Sequence, residues 1–118
     1  MLGLIINDPY ITDIFEGKKI WELRSRNTHI RGTIALIKKG SGLVLGTANL
    51  TDVILLTEKE MRCRKEHGEP KSNFGKSDRF IYAWVLRYAK RFTKPISYKH
   101  PSGAVIWVKL PKLAVQKA

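Results

Sequence analysis

With 118 residues, 43% of them hydrophobic and 27% charged, the chain suits one folded domain: it is too short for two independent cores and too apolar for a disordered segment. Cys63 is the only cysteine, which excludes an intrachain disulfide and a cysteine-based zinc cluster. No apolar run approaches the ~20 residues of a membrane-spanning helix. The excess of 22 Lys and Arg over 10 Asp and Glu, a net charge of +12, is larger than solubility requires. It favours a polyanionic partner, because phosphate contacts release condensed counterions. RNA is the first candidate and DNA the second. A membrane surface would call for a basic amphipathic helix or a lipidation motif, and neither is found.

In chain order, Leu2 to Ile6 is a short apolar run suited to a buried strand. The chain opens Met1-Leu2-Gly3-Leu4 with no basic leader, so it reads as structure and a cytoplasmic location is expected. Asp8 before Pro9 predicts a helix start, with the helix running from Pro9 to Phe15 or Glu16 and stopping at Gly17. Tyr10, Ile11, Ile14 and Phe15 form its inner face. Lys18 to Arg24 reads as a strand and Ser25 to Arg31 as a polar loop. Gly32 opens a third strand that ends at the turn Lys39-Gly40-Ser41-Gly42. Leu43 to Leu56 is β-rich, as two strands or one bent strand, with Gly46 a candidate bulge.

Thr57 and Glu60 have capping-box spacing, which predicts a second helix fading near His67-Gly68. Glu69 to Asp78 reads as a loop. Phe80 to Arg91 alternates Ile81, Ala83 and Val85 with Tyr82, Trp84 and Leu86, so both faces of this strand should be partly covered. Pro95 to Tyr98 and Ala104 to Leu110 supply the last strands, and residues 111–118 form a basic tail that follows a domain spanning 1–110. Six or seven short strands with two main helices predict an α+β fold, a small mixed β-barrel with helices flanking it.

The segment Gly17-Lys18-Lys19-Ile20-Trp21-Glu22-Leu23-Arg24 matches Gly-x-Lys-x-x-Glu-x-Arg and resembles the hallmark of the ASCH domain, a branch of the PUA-like superfamily. Flanking residues resemble the family in the same order. Asn7-Asp8-Pro9-Tyr10 with Ile14 is similar to its Pro-led first helix, and Ile30-Arg31-Gly32 to its Arg-Gly approach to the next strand. Tyr82 to Leu86, Pro95, Tyr98, Gly103 and Trp107 are similar to its closing pattern. The resemblance covers nearly the whole chain. It implies a PUA-like barrel with a cleft beside the first helix, and roles around RNA, nucleotides or modified nucleosides. Relatives include RNA-binding and coactivator-like modules, ribonucleases, and amidohydrolases that deacetylate N4-acetylcytidine.

Strand alternation places Glu22, Arg24 and Arg26 on one face, with Lys19 and Trp21 on the other. Lys19 joins Glu22 and Arg24 only if the Gly17 turn redirects it. Together the three could grip a phosphate through Lys19 and Arg24 while Glu22 orients the arginine or accepts from a base amino group. The plainer alternative is a Glu22–Arg24 ion pair that holds the barrel together. If the chain is an enzyme, Lys19 and Glu22 are its candidate catalytic residues. The deacetylating relatives look like Gly-x-Lys-x-x-Thr-x-Arg. Glu22 occupies their Thr position, and a carboxylate does not replace a hydroxyl nucleophile; Glu66 is displaced by two residues from their later acid.

A ribonuclease reading draws on Lys19 and Arg24 with Tyr98 or His67. His29, His67 and His100 show no pairing diagnostic of catalysis or of a metal. Cys63 and His67, four residues apart, lack a third partner. No cofactor or metal is expected. Phosphate contacts are expected from Arg24, Arg26 and Arg31, from Arg64 and Lys65 on the second helix, and from Arg91. Tyr98, with Tyr88 and Phe92, offers stacking surface for unpaired bases. Trp84 and Trp107 are assigned to the core.

Overall fold

The computed structural model describes residues 1–56 and 81–111. Among these, six strands and one helix follow in the order β1 (Leu2–Ile6), α1 (Tyr10–Phe15), β2 (Trp21–Arg24), β3 (Gly32–Lys38), β4 (Leu43–Leu55), β5 (Tyr82–Ser97) and β6 (Trp107–Lys109). The strands form one mixed sheet in the order β2-β5-β4-β3-β1-β6. β1 and β3 are parallel, and the other pairs are antiparallel.

Among the described residues the sheet curls into a half-barrel whose edge strands β2 and β6 do not pair. Side chains cross the seam between its two edges. Arg24 of edge strand β2 donates to the Ile5 carbonyl of β1 at 2.9 Å. Trp84 of β5 stacks on Trp107 of edge strand β6, with ring centroids 5.7 Å apart and planes 15° from parallel. Trp84 Nε1–H also donates to the Arg26 carbonyl at 2.9 Å, which satisfies the indole's one polar group.

Two apolar clusters sandwich the sheet. Leu4, Ile6, Ile34, Leu36, Ala48, Leu50, Trp84 and Leu86 pack with Ile11 and Ile14 of α1. Ile5, Ala35, Ile37, Val44, Val108 and Leu110 form the second cluster, with Phe92, Ile96, Tyr98 and Ala104 against it. Covering both faces explains why β1 and β3 read as continuous apolar runs instead of alternating ones. In β5 four successive residues, Ala83 to Leu86, are buried, with Trp84 and Leu86 in the first cluster.

The helix ends where the sequence predicts. Gly17 adopts φ +77°, its N–H bonds the Ile14 carbonyl, and the Lys18 N–H bonds the Asp13 carbonyl, a Schellman closure that only glycine adopts without strain. The helix start differs from expectation. The N-cap is Pro9 rather than Asp8, and the Asp8 carboxylate accepts the Thr12 hydroxyl at 2.6 Å. That hydrogen bond, with Lys38 nearby, holds the Asp8 carboxyl below its ordinary value.

Two further boundaries are corrected. The second strand begins at Trp21, not Lys18, because the helix closure uses the Lys18 N–H; only the Ile20 carbonyl reaches β5, accepting the Leu86 N–H at 2.7 Å. The expected break before Pro95 is absent: β5 runs on to Ser97. Its pairing slips between Gly46↔Arg91 and Val44↔Ile96, so Pro95 falls where no ladder donor is required. The bulge expected at Gly46 is present, since Leu45 is passed over in pairing with both neighbours. A Cβ at Gly46 would run into the Lys90 carbonyl and lie 2.7 Å from the Phe15 ring.

A fold with two main helices is not supported; among the described residues there is only α1. The second helix expected from Thr57, and the tail beyond Pro111, lie outside the described residues. No helix among those described is long and apolar enough to cross a membrane.

Candidate functional site

Lys19, Glu22 and Arg24 converge. Because Lys19 precedes β2, strand alternation does not govern it, and its side chain turns to the same side as Glu22. Lys19 Nζ lies 3.1 Å from Glu22 Oε1, with the Lys19 side chain 0% and the Glu22 side chain 6% exposed. Glu22 Oε2 accepts from Arg24 Nη2 at 2.8 Å, and the same nitrogen donates to the Ile5 carbonyl. The Lys19 ammonium also sits 4.5 Å from the Tyr10 ring centroid, and the Arg24 guanidinium 5.5 Å from that of Trp84. One carboxylate between two cations leaves a net positive charge.

Glu22 Oε1 is buried and makes no aligned hydrogen bond. Its 3.1 Å contact with Lys19 is an ion pair. Glu22 and Arg24 line a cleft of about 270 Å³ whose walls also include Asn7, Tyr10, Lys39 and Val105. Lys19 does not line this cleft. It stands behind Glu22 as a counter-ion that fixes the carboxylate.

The other residues singled out by sequence disperse. Arg26 is exposed and contributes its carbonyl to Trp84. Arg31 Nη1 bonds the Thr28 and Ile30 carbonyls at 2.9 and 2.8 Å, tying up the loop before β3. Arg91 lies over the Phe15 ring at 5.5 Å, against α1. Arg64, Lys65, Glu66, His67 and Cys63 lie outside the described residues. Tyr98 faces a neighbouring cavity of about 570 Å³, and burial pushes its phenol above the ordinary tyrosine value. Among the described residues no group of His, Cys, Asp or Glu is placed to hold a metal.

Sequence reasoning missed Asn7, Lys39 and Val105, and placed Tyr10 only in the core. The signal for the first two was pairing rather than motif. β1 and β3 are parallel, with Ile6 opposite Lys38 and the Lys39 N–H bonded to the Ile6 carbonyl. The residues just past the two strand ends, Asn7 and Lys39, therefore emerge side by side.

Comparison with curated proteins gives no significant match. Among solved structures, ASCH from Zymomonas mobilis is similar with a TM-score of 0.72 and 17% identity, covering 94% of this chain and 87% of that one. Two point mutants of the same protein match with TM-scores of 0.71, again at 17% identity and over 94% of this chain, with 88% and 90% of theirs covered. At that identity the likeness concerns the fold. The family model of the ASCH domain matches residues 4–96, a span holding most of β1, all of β2 to β4, nearly all of β5, and the Lys19–Glu22–Arg24 cluster. The chain belongs to the ASCH domain family.

Proposed function

We propose that the protein binds RNA or a nucleotide-containing ligand in the cleft at the half-barrel seam. Glu22 and Arg24 contact the ligand, and Lys19 acts as a positioning residue behind them. The observation that carries this reading is the concave cleft whose wall holds the Glu22 carboxylate, fixed between Lys19 and Arg24. A carboxylate held in that way suits a base amino group. Arg24 and Lys39 supply positive charge at the same walls, and the net charge of +12 supplies long-range attraction.

Binding is favoured over hydrolysis by the position of Lys19. A general base or nucleophile must come within hydrogen-bond reach of the reacting group, and the Lys19 side chain is fully enclosed and engaged by Glu22 and the Tyr10 ring. Titration of a single-stranded RNA at several salt concentrations tests the proposal. Affinity should fall steeply with salt, by a slope of about 0.7 per phosphate contacted, and should weaken in Arg24→Gln. Absence of RNA binding at low salt, or full affinity in a folded Arg24→Gln variant, would overturn it.

A further inference from the structure

The larger cavity borders the Glu22–Arg24 cleft. Ile5, Lys39 and Val105 line both. At about 570 Å³ it lies within the range of about 300–1,000 Å³ common for small-molecule sites. Its far end is built from Tyr98, His100 and Ala104.

These residues form a fixed polar relay. His100 Nε2 lies 2.9 Å from the Ala104 carbonyl, and His100 Nδ1 lies 2.9 Å from the Tyr98 hydroxyl. A carbonyl only accepts, so Nε2 carries the proton. In the neutral ring Nδ1 then accepts, and the Tyr98 hydroxyl donates to it. The Tyr98 oxygen keeps lone pairs for an incoming N–H. The two rings meet edge to face, with centroids 5.8 Å apart and planes at 60°. The other walls are largely apolar, and Val105, which separates the two cavities, is 71% exposed. A large apolar side chain so exposed between two concave sites is where a ligand gains contact on binding.

Ring faces, apolar walls and a single acceptor-bearing relay suit a nucleobase. Lys39 is the cation on the wall common to both cavities, where a strand crossing from one to the other would carry its phosphate. We infer that the ligand is an oligonucleotide seated across both cavities, with one nucleotide at Glu22 and Arg24, the next base against Tyr98 and His100, and Lys39 on the phosphate between them. This rests on the reading of the first cleft given above.

Calorimetric titration of the whole protein with a mononucleotide, a dinucleotide, and the same dinucleotide lacking its second base tests the inference. The dinucleotide should bind about tenfold tighter than its abasic counterpart, a typical stacking gain. In His100→Ala, and to a smaller extent in Tyr98→Phe, that tenfold preference should shrink while mononucleotide affinity stays unchanged. Equal affinity for the base-bearing and abasic dinucleotides would overturn the second site and leave the first cleft standing. A preference undiminished in His100→Ala would also overturn it, as would a free nucleoside binding as tightly as the dinucleotide. Failure of both mononucleotide and dinucleotide to bind would overturn both readings together.

Discussion

Two basic regions of this molecule treat their charge in opposite ways. At the seam, Lys19 and Arg24 share Glu22, and Arg24 also ties β2 to β1 through the Ile5 carbonyl. In the middle of β5, Arg87 and Lys90 are exposed and carry no ion pair among the described residues. Between them Tyr88 is 81% exposed at φ +55°, where the register against β4 slips between Thr47↔Lys90 and Asn49↔Arg87. Paired, buried charge fixes geometry and is little screened by salt; exposed charge attracts at range and is screened within about 8–10 Å. The seam should therefore decide what the ligand is and how it sits, and β5 how fast and how generally polyanions are attracted.

The largest expected effect lies at Glu22. Glu22→Gln removes the carboxylate charge that Lys19 and Arg24 share at the seam and should cost about 3–5 kcal/mol, the usual penalty for breaking a buried pair. Lys19→Met should cost less, about 1–3 kcal/mol, because Glu22 keeps Arg24. The double variant should be less destabilised than the sum of the two, as expected of groups in direct contact. Urea unfolding with an unchanged m-value measures all three. Strict additivity would break the description of the seam as one coupled unit.

Local signals made much of the fold legible. Gly17 ends α1, Gly46 marks the bulge, and the aromatic run of β5 forms a strand with both faces partly covered, all as residue type and spacing suggest. The motif from Gly17 to Arg24 named the family. What local pattern could not supply was set by closure of the chain on itself. Strand alternation put Lys19 opposite Glu22, but the Schellman turn takes Lys18 out of the strand and frees Lys19 from that rule. Asn7 and Lys39 meet only because β1 and β3 are parallel. Arg31, expected as a phosphate contact, also places one guanidinium nitrogen, Nη1, on the Thr28 and Ile30 carbonyls, a use that charge counting does not reveal.

A smaller effect is expected at Tyr88. The left-handed conformation costs a non-glycine residue roughly 1–2 kcal/mol, part of which glycine's greater unfolded-state freedom offsets. Tyr88→Gly should thus raise stability by up to about 1 kcal/mol in thermal or urea unfolding. If the exposed ring stacks on an unpaired base, the same variant should lose RNA affinity while gaining stability. A variant neither more stable nor weaker in binding would remove Tyr88 from the contrast between the two regions.

The smallest effect on stability, and the sharpest test of the contrast, comes from neutralising Arg87 and Lys90. Both are exposed, so Arg87→Gln with Lys90→Gln should leave the unfolding midpoint unchanged. If these cations meet RNA phosphates, the slope of log affinity against log salt should fall by about 0.7 for each phosphate no longer neutralised, uniformly across RNA sequences. Arg24→Gln should behave differently. Its guanidinium is already engaged by Glu22 and by the Ile5 carbonyl, so its replacement should lower affinity with little change in slope, and should do so unequally among base identities. Equal slope changes at the two regions would mean that Arg24 meets phosphate as a free cation does, and the division of labour between seam and β5 would fail.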